Sequence, residues 1–260
     1  MNVLDDMRQA ARLAGDLLLR RRSGLADLQV ESKGVKDFVT SVDREAEEII
    51  ATYLEERWPG IPFLAEESDA RKTDAAERWI VDPLDGTTNY IHGFPVFCVS
   101  IAFESGGRLR AGVVLDPTRA ELFCAEHGNG ATLNGAPLSV SGAGDLGASL
   151  LATGFPFREI ERLDGYLADF RRLLAASAGV RRAGSAAIDL CYVAAGRCDG
   201  FWEIGLSPWD VAAGGLMVLE AGGLVTDFGG GGEWLKGREI VAATPGIHTA
   251  ILEALNRAPD

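Results

Sequence analysis

The chain has 260 residues, of which 47% are hydrophobic and 24% are charged, and its formal net charge at pH 7 is −13. This length suits one large domain or two closely joined halves, and the composition excludes an extensively disordered chain. The acidic charge argues against binding to the nucleic-acid backbone, and no apolar run approaches the roughly 20 residues of a membrane helix.

The N-terminal stretch and the cysteines favour a cytoplasmic protein. The first 22 residues begin with acidic side chains and become amphipathic, whereas a secretory signal has a basic start. The four cysteines, at positions 98, 124, 191 and 198, form no CxxC pair, so we expect them to be reduced and structural. We therefore expect a cytoplasmic location.

Hydrophobic periodicity predicts two amphipathic helices followed by short strands in the first part of the chain. The helices are predicted at 3–22 and 41–57, and the strands at 61–65, 79–81, 96–103, 109–115 and 121–125. Residues 128–135 are turn-rich, and the small polar stretch 141–148 is a candidate connection between two halves. We expect 1–140 to form an N-terminal α+β half with a mostly antiparallel sheet.

Strands and helices alternate in the second part, which favours an α/β arrangement over 141–260. Strands are predicted at 149–152, 180–183, 200–204, 224–227 and 239–242, and helices at 161–176, 186–195, 208–220 and 247–255. The four glycines at 229–232 predict a turn, because no Lys-Ser/Thr follows them as in a nucleotide loop. We expect the two halves to form one compact functional unit.

Acidic side chains stand at the ends of several predicted strands or at the start of the following helix. They are Glu66, Glu67, Asp82, Asp85, Glu203 and Asp210. Ligand sites in α/β proteins gather at the carboxyl ends of strands, so these side chains would share one pocket if the strand ends converge. Like charges at that density need cations, and oxygen ligands without His or Cys favour Mg²⁺, Mn²⁺ or Ca²⁺.

Each acid also has a structural interpretation. Asp85 and Asp210 stand where helix caps stand, and the segment from Ser207 to Asp210 resembles a capping box. Glu66 and Glu67 alone would most often be a solvated pair. The joint pattern, rather than any single acid, favours a metal site.

Two glycine-containing segments at predicted helix starts, Gly86-Thr87-Thr88 and Gly184-Ser185-Ala186, are candidate anion sites. Glycine lets backbone N–H groups approach an anion closely, and the helix dipole favours the negative charge. Thr87 can hold a water through its hydroxyl, and two arginines at 181 and 182 precede the second segment. A simple N-cap at Ser185 is the alternative.

Two spacings that are known from phosphatases occur in the sequence, but neither fits its surroundings. Asp85-Gly86-Thr87 resembles the DGT of haloacid-dehalogenase phosphatases, but two residues rather than one separate Asp85 from Asp82. Cys191 and Arg197 have the Cys-x5-Arg spacing of cysteine phosphatases, but their segment predicts a helix interior. We therefore expect Cys191 to be a core residue.

Three stretches together resemble the signatures of the inositol monophosphatase family of Mg²⁺-dependent, lithium-sensitive phosphatases. They are LAEES at 64–68, WIVDPLDGTTN at 79–89 and WDVAAG at 209–214. Lesser matches at 37–43, 184–187 and 201–205 occur in the family's order, so the resemblance spans nearly the whole chain. It implies a layered α-β-α-β-α sandwich of the inositol monophosphatase and fructose-1,6-bisphosphatase type, and a homodimer.

The resemblance also implies a metal site, a catalytic pair and a substrate wall. The implied metal ligands, for two or three Mg²⁺ ions with Mn²⁺ as an alternative and Li⁺ as an inhibitor, are Glu66, Asp82, the Leu84 carbonyl, Asp85 and Asp210. Asp43 and Thr87 are implied to activate the attacking water, with Glu66 as a further catalytic residue. Substrate contacts are implied for Gly86, Thr87, Gly184, Ser185, Ala186, Glu203 and Asp210.

One departure concerns a lysine that some members place five residues before the first Asp of the segment at 37–43. Ser32 holds that position here, and Lys33 and Lys36 are the candidates to replace the lysine. Glu67 matches an acid beside the site, and the resemblance implies no firm role for it.

The resulting hypothesis is metal-dependent hydrolysis of a phosphate monoester by direct attack of water, with inositol-1-phosphate as the expected substrate. Fructose-1,6-bisphosphatase, histidinol-phosphatase and adenosine bisphosphate phosphatase activities on the same scaffold are alternatives. A regulatory protein that acts through a protein partner in RNA metabolism is an alternative of another class. The expected ligand positions are intact, which favours an enzyme.

Overall fold

The computed structural model describes residues 2–22, 30–34, 37–67, 75–157 and 159–256, with the backbone alone at 30–34 and 37–39. Seven helices lie in these ranges: α1 (Val3–Arg22), α2 (Ser41–Arg57), α3 (Thr87–Ile91), α4 (Leu163–Ala176), α5 (Ala186–Ala194), α6 (Pro208–Glu220) and α7 (Pro245–Leu255). None of these described helices is both long and apolar enough to cross a membrane.

The strands of the described residues form a hairpin and two larger sheets. The hairpin and the seven-stranded sheet contain β1 (Val30–Gly34), β2 (Asp37–Thr40), β3 (Phe63–Ala65), β4 (Glu77–Asp85), β5 (Cys98–Ser105), β6 (Arg108–Asp116), β7 (Glu121–Glu126), β8 (Gly130–Leu133) and β9 (Ala136–Pro137). The five-stranded sheet contains β10 (Leu150–Thr153), β11 (Gly179–Arg181), β12 (Gly200–Ile204), β13 (Leu224–Thr226) and β14 (Glu239–Ala243).

The seven-stranded sheet runs in the order β3-β4-β5-β6-β7-β8-β9 and is antiparallel apart from the parallel pair β3 and β4. Helices α1 and α2 cover one face, where Met7, Leu18 and Ile50 belong to the same buried cluster as Trp79 and Phe97. Burying one such side chain contributes roughly 1.5–3 kcal/mol, so this face anchors β4 in a rigid core.

Helices α5 and α6 form the layer between the two large sheets. Both are buried over most of their length, as expected for helices that are apolar all round. A Cβ added to Gly112 of β6 would lie 3.1 Å from the Cα of Ala213, and one added to Gly214 would lie 2.6 Å from the Cβ of Leu190. Small residues therefore let α6 approach both β6 and α5 closely.

The five-stranded sheet runs in the order β11-β10-β12-β14-β13, with β11, β10 and β12 parallel and β14 antiparallel to both of its neighbours. Helices α4 and α7 cover its outer face, where Tyr166 and Ile251 share a buried cluster with Leu151 and Trp202. The layers follow one another as α-β-α-β-α, so the predicted layered sandwich is confirmed.

Side-chain caps fix the helix starts near the predicted site. The N–H of Ser207 donates to Oδ2 of Asp210 at 2.7 Å within a capping box, and Ser185 is the N-cap of α5. These two structural interpretations of the sequence are confirmed. The N-cap of α3 is Gly86, so the interpretation of Asp85 as a helix cap is wrong.

The structure corrects the expected end of β4 and adds strands. We expected Asp82 and Asp85 to follow the strand, but β4 continues to Asp85 with an irregular register between these two residues. Pro83 cannot donate to the sheet, and such an irregularity is where a strand tolerates proline. Strands β1, β2, β8 and β9 were not predicted. All four cysteines are buried free thiols, and Cys191 lies in α5 as predicted.

We predict that Gly214→Val lowers the free energy of unfolding by about 2 kcal/mol, because overpacked cores lose roughly 1–3 kcal/mol. Urea denaturation measures the change. Gly165→Val in α4 is the matched control, since a Cβ at Gly165 meets no atom within 4 Å. A Gly214→Val protein as stable as the control protein would contradict the close packing of α5 and α6.

Candidate active site

A cavity of about 250 Å³ opens where the carboxyl ends of β3, β4, β10 and β12 meet the N-terminal ends of α3, α5 and α6. Most of the residues proposed from the sequence line it: Glu66, Asp82, Leu84, Asp85, Gly86, Thr87, Gly184, Ser185, Ala186, Glu203 and Asp210. Asp43 lies behind this lining, where its carboxylate accepts a hydrogen bond from Thr87.

The parallel pairing of β3 and β4 brings the first two acids together. Ala65 lies opposite Val81, and the N–H of Glu66 donates to the carbonyl of Val81 at 3.3 Å. Asp82 follows Val81 on the neighbouring strand and is 1% exposed. The N–H of Leu84 donates to Oδ1 of Asp82 at 2.9 Å, so the irregular end of β4 holds this carboxylate in place.

Asp82 is surrounded by like charges. Burial raises its pKa well above the ordinary value, and the charges of Glu66, Asp85 and Asp210 raise it further. Within the described residues, no three Asp, Glu, His or Cys side chains lie close enough to surround one ion as they stand. The four carboxylates nevertheless line one cavity, and the charges of Glu66, Asp85 and Asp210 all act on Asp82.

Asp85 is held by donors from the second half of the chain. Its Oδ2 accepts from the Ser185 hydroxyl at 2.7 Å and from the N–H of Ala187 at 2.8 Å, and the Cys98 thiol lies 3.9 Å away. Burial raises its pKa to about 6, against these hydrogen bonds. No described residue donates to Oδ1, which leaves that oxygen available as a ligand.

Thr87 connects the Leu84 carbonyl to a buried acid. Its Oγ1 lies 3.0 Å from the Leu84 carbonyl oxygen and 3.0 Å from Oδ1 of Asp43. Oδ2 of Asp43 accepts from the N–H and the hydroxyl of Thr40. Burial raises the pKa of Asp43 despite these bonds. A hydroxyl carries one proton, so when Thr87 donates to Asp43 the Leu84 carbonyl is free to bind something else.

Gly86 requires the conformation that only glycine adopts easily. Its φ is +95°, and an added Cβ would lie 2.9 Å from the carbonyl oxygen of Val96. Nearby, the amide of Asn89 donates to the carbonyls of Val96 at 2.7 Å and Ala183 at 3.0 Å. Asn89 thereby ties the start of α3 to the segment that precedes α5, which is a role the sequence did not reveal.

The donor set fits divalent hard cations. It consists of carboxylates and one backbone carbonyl, with no His or Cys ligand, which is the chemistry that Mg²⁺ prefers. Asp82 is buried beside three like charges, and such an arrangement is stable only if protons or cations offset it. Among the described lining residues, Arg182 alone is basic.

The inositol monophosphatase family model matches residues 2–260. The chain belongs to this family. The match confirms the resemblance that the motifs predicted, and membership supports phosphatase activity at this site.

Relatives and solved structures of the inositol monophosphatase type agree with this assignment. The Nus factor SuhB of Pseudomonas aeruginosa is 50% identical over 252 residues, covering 95% of this chain and 93% of that protein. The inositol-1-monophosphatase of Mesorhizobium japonicum is 46% identical over 256 residues, covering 98% and 96%. The inositol monophosphatase of Anabaena (Nostoc) sp. PCC 7120 superposes with a TM-score of 0.89 at 40% identity, covering 98% of this chain and 96% of that one.

A further structural match carries the SuhB name. The extragenic suppressor protein suhB of Bartonella henselae superposes with a TM-score of 0.95 at 46% identity, covering 98% of this chain and 99% of that one. The layered fold and the cavity are therefore set in a scaffold that both kinds of relative share.

Two predicted features are not among the described residues that line the cavity. The Lys33 side chain and Lys36 fall outside the described residues, so the lysine of the family motif stays a prediction. Glu67 does not line the cavity, and its N–H donates to Oε2 of Glu47 at 3.0 Å. We assign Glu67 no role.

The wall of the cavity that contains the predicted Glu203 also contains two residues that sequence reasoning missed, Gly154 and Asp189. Glu203 lines this wall together with Gly154, Asp189 and Arg182. The guanidinium of Arg182 lies 4.9 Å from the ring centre of Phe157. Asp189 is 2% exposed, and no described residue donates to its carboxylate. No local signal marks Gly154 or Asp189, because each acquires its position in the wall from distant neighbours.

We predict that Asp189→Asn stabilises this inositol monophosphatase-family protein more as the pH rises. Burial, then the charge of Asp85, raises the Asp189 pKa well above its ordinary value. Between the two values the folded state binds a proton that the unfolded state has released, so wild-type stability falls with rising pH. Asparagine removes this loss.

Urea denaturation at pH 5 and pH 8 measures the effect of Asp189→Asn. We expect the gain in unfolding free energy to be larger at pH 8. Asp164→Asn, on the exposed first turn of α4, is the control without such a gain. If Asp189→Asn raised the unfolding free energy equally at both pH values, the result would contradict a raised pKa of the buried Asp189 carboxyl.

Proposed function

We propose that this protein is a Mg²⁺-dependent phosphatase that hydrolyses inositol-1-phosphate, or a closely similar polyol phosphate, by direct attack of water. The observation that carries the proposal is the convergence of Glu66, Asp82, Asp85 and Asp210 on one end of a small cavity. Acidic side chains outnumber the single base, Arg182, among the described lining residues, so cations between the protein and an anionic substrate would offset the repulsion.

The proposed ligands are the carboxylates of Glu66, Asp82, Asp85 and Asp210 and the carbonyl of Leu84. Two or three Mg²⁺ ions, when bound, would neutralise these carboxylates and the phosphate and lower the pKa of a water, with Mn²⁺ as an alternative and Li⁺ as an inhibitor. The charges of Glu66, Asp85 and Asp210 all act on Asp82, so we propose that Asp82 would be a ligand of more than one ion.

Thr87 and Asp43 are proposed to orient the attacking water. When the Thr87 hydroxyl donates its proton to Oδ1 of Asp43, its oxygen can accept a hydrogen bond from the attacking water. The Leu84 carbonyl then stays available as a metal ligand. Asp43 accepts from Thr40 and Thr87, and these bonds fix the direction of the Thr87 proton. The pair thus selects one orientation of the water before reaction.

The backbone N–H groups at Gly86 and Thr87 are proposed to bind phosphate, and the N-terminal end of α5 to bind the rest of the substrate. The Ser185 hydroxyl is already bonded to Asp85, so Ser185 can contact a ligand through its main chain. Glu203 is proposed to accept hydrogen bonds from substrate hydroxyls. These contacts involve 1–140 and 141–260, which we propose act as one functional unit.

Cavity size favours a small substrate. The cavity volume of about 250 Å³ is near the lower end of the roughly 300–1,000 Å³ of ligand sites, so we favour a small ester and keep adenosine bisphosphate as an alternative on the test panel. Fructose-1,6-bisphosphate and histidinol phosphate remain alternatives. We also propose a homodimer, which light scattering after size exclusion tests directly.

The experiment that tests this function is phosphate release from a panel of these esters with Mg²⁺, with and without Li⁺. We expect inositol-1-phosphate to give the highest kcat/KM and Li⁺ to inhibit. Faster hydrolysis of any other ester on the panel would overturn the substrate assignment, and no Mg²⁺-dependent release from any ester would overturn the phosphatase proposal.

We predict that Asp82→Asn lowers kcat at least about 100-fold, the scale on which single groups that stabilise transition-state charge act. Mg²⁺ should raise the Tm of the wild-type protein, because a ligand that binds the folded state stabilises it, and should raise the variant's Tm much less. A wild-type kcat in Asp82→Asn at saturating Mg²⁺ would contradict the role of Asp82 as a metal ligand.

A graded pair of substitutions tests Thr87. Thr87→Ser keeps the hydroxyl and should keep kcat within about 10-fold, whereas Thr87→Ala should lose about 100-fold or more, as when a proton-transfer group is removed. Steady-state kinetics on the preferred ester measure both. Equal losses in the two variants would show that the hydroxyl is not the feature that matters.

A second candidate function is a regulatory role through a protein partner in RNA metabolism, without direct binding to nucleic acid. The observation that favours it is the name Nus factor SuhB among relatives such as that of Pseudomonas aeruginosa. Asp82→Asn separates the two candidates, because a partner role does not require turnover. Restoration by this variant of the growth of a strain that lacks the gene would favour the partner role.

A further inference from the structure

The carboxylate of Glu203 lies directly on the backbone of Gly154. A Cβ built on Gly154 would be 2.0 Å from Oε1, 2.2 Å from Cδ and 2.3 Å from Oε2 of Glu203. Real Cβ atoms essentially never approach other heavy atoms below 3.0 Å. Any side chain at position 154 must therefore displace this carboxylate.

The register of the five-stranded sheet explains the contact. On the parallel strands β10 and β12, Ala152 pairs with Phe201 and Thr153 with Trp202. Side chains alternate between the faces of a sheet, so Gly154 falls on the same face as Ala152, and Glu203 on the same face as Phe201. Ala152 and Phe201 both belong to the core cluster between the two sheets. Position 154 thus projects toward Glu203.

Backbone conformation does not explain this glycine. The φ of Gly154 lies outside the positive range that favours glycine, whereas Gly86 and Gly184 have φ values of +95° and +93°. Every atom that the added Cβ would approach most closely belongs to Glu203. Room for the carboxylate is therefore the physical reason for the missing side chain.

Other neighbours limit where a displaced carboxylate can go. Burial, then the charges of Asp189 and Asp210, raises the Glu203 pKa well above its ordinary value, and Arg182 acts in the opposite direction. Glu203 lines the cavity beside Gly154, so a carboxylate displaced from Gly154 has to move within this charged lining or into the cavity. Either movement changes the space and the hydrogen-bond acceptors that a substrate meets in the cavity.

We propose that Gly154 is a positioning residue for substrate selection: its missing side chain lets Glu203 lie back against the wall and accept hydrogen bonds from the hydroxyls of a polyol phosphate. This inference rests on the proposed function, because it says which residues bind the hydroxyl-bearing end of the same substrate. A residue with a side chain at 154 would select a smaller or less hydroxylated ester.

Gly154→Ala tests the assignment with two esters, inositol-1-phosphate and p-nitrophenyl phosphate. We expect the ratio of their kcat/KM values to fall about 10- to 100-fold, the loss expected for a hydrogen bond to a charged group, mainly through KM of the inositol ester. Gly165→Ala, where an added Cβ meets no atom within 4 Å, is the matched control and should keep the ratio. An unchanged ratio in Gly154→Ala would overturn the inference.

The same substitution in a Glu203→Ala background isolates the contact. Without the carboxylate, the added methyl should cause no further fall in selectivity and no fall in Tm, whereas it should lower the Tm of the wild-type protein. Equal Tm losses in both backgrounds would overturn the inference. This thermal comparison needs no turnover, so a wild-type protein that hydrolyses neither ester would count against the proposed function alone.

Discussion

The mutual repulsion of carboxylates around Asp82 is the constraint on which the site depends. Parallel pairing of β3 with β4 sets Glu66 beside Asp82, and the irregular end of β4 adds Asp85 within four residues. The charge of Asp210 reaches Asp82 from the first turn of α6. A protein would not keep these groups together in its interior unless protons or cations offset their charge.

The layered fold brings hydrogen-bond donors from both halves of the chain to this carboxylate cluster and its surroundings. Ser185 and Ala187 at the start of α5 donate to Asp85, and Asn89 of α3 binds the carbonyl of Ala183. Close packing of α5 against α6 at Gly214 helps to fix the positions of the N-terminal ends of these two helices. The small residues between the sheets therefore position the chemistry as well as the core.

Sequence patterns predicted the elements that carry their own signals. The helix at 208–220 and the strand at 200–204 agree residue for residue, since proline and a capping box mark one and a buried apolar run marks the other. The extent of β4 was wrong because Pro83 normally ends a strand, and only the neighbouring strands show that it continues. Short strands such as β9 carry too few residues for a periodic pattern.

The motifs of the candidate site and Glu203 were predictable, whereas the contact between Glu203 and Gly154 was not. Asp82, Asp85 and Gly86 lie in one continuous run, so local sequence was sufficient to place them together. Gly154 and Glu203 are neighbours only because β10 and β12 pair in parallel. No local pattern contains that pairing, and a glycine whose φ is ordinary gives no hint that it makes room for a carboxylate.

The most direct test of the account is anomalous diffraction from crystals grown with Mn²⁺, which locates the cation without reliance on turnover. The account predicts anomalous peaks within ligand distance of the Asp82 carboxylate and of its neighbours Glu66, Asp85 or Asp210. Peaks confined to surface carboxylates, or no peak at saturating Mn²⁺, would contradict the claim that these acids converge to hold metal.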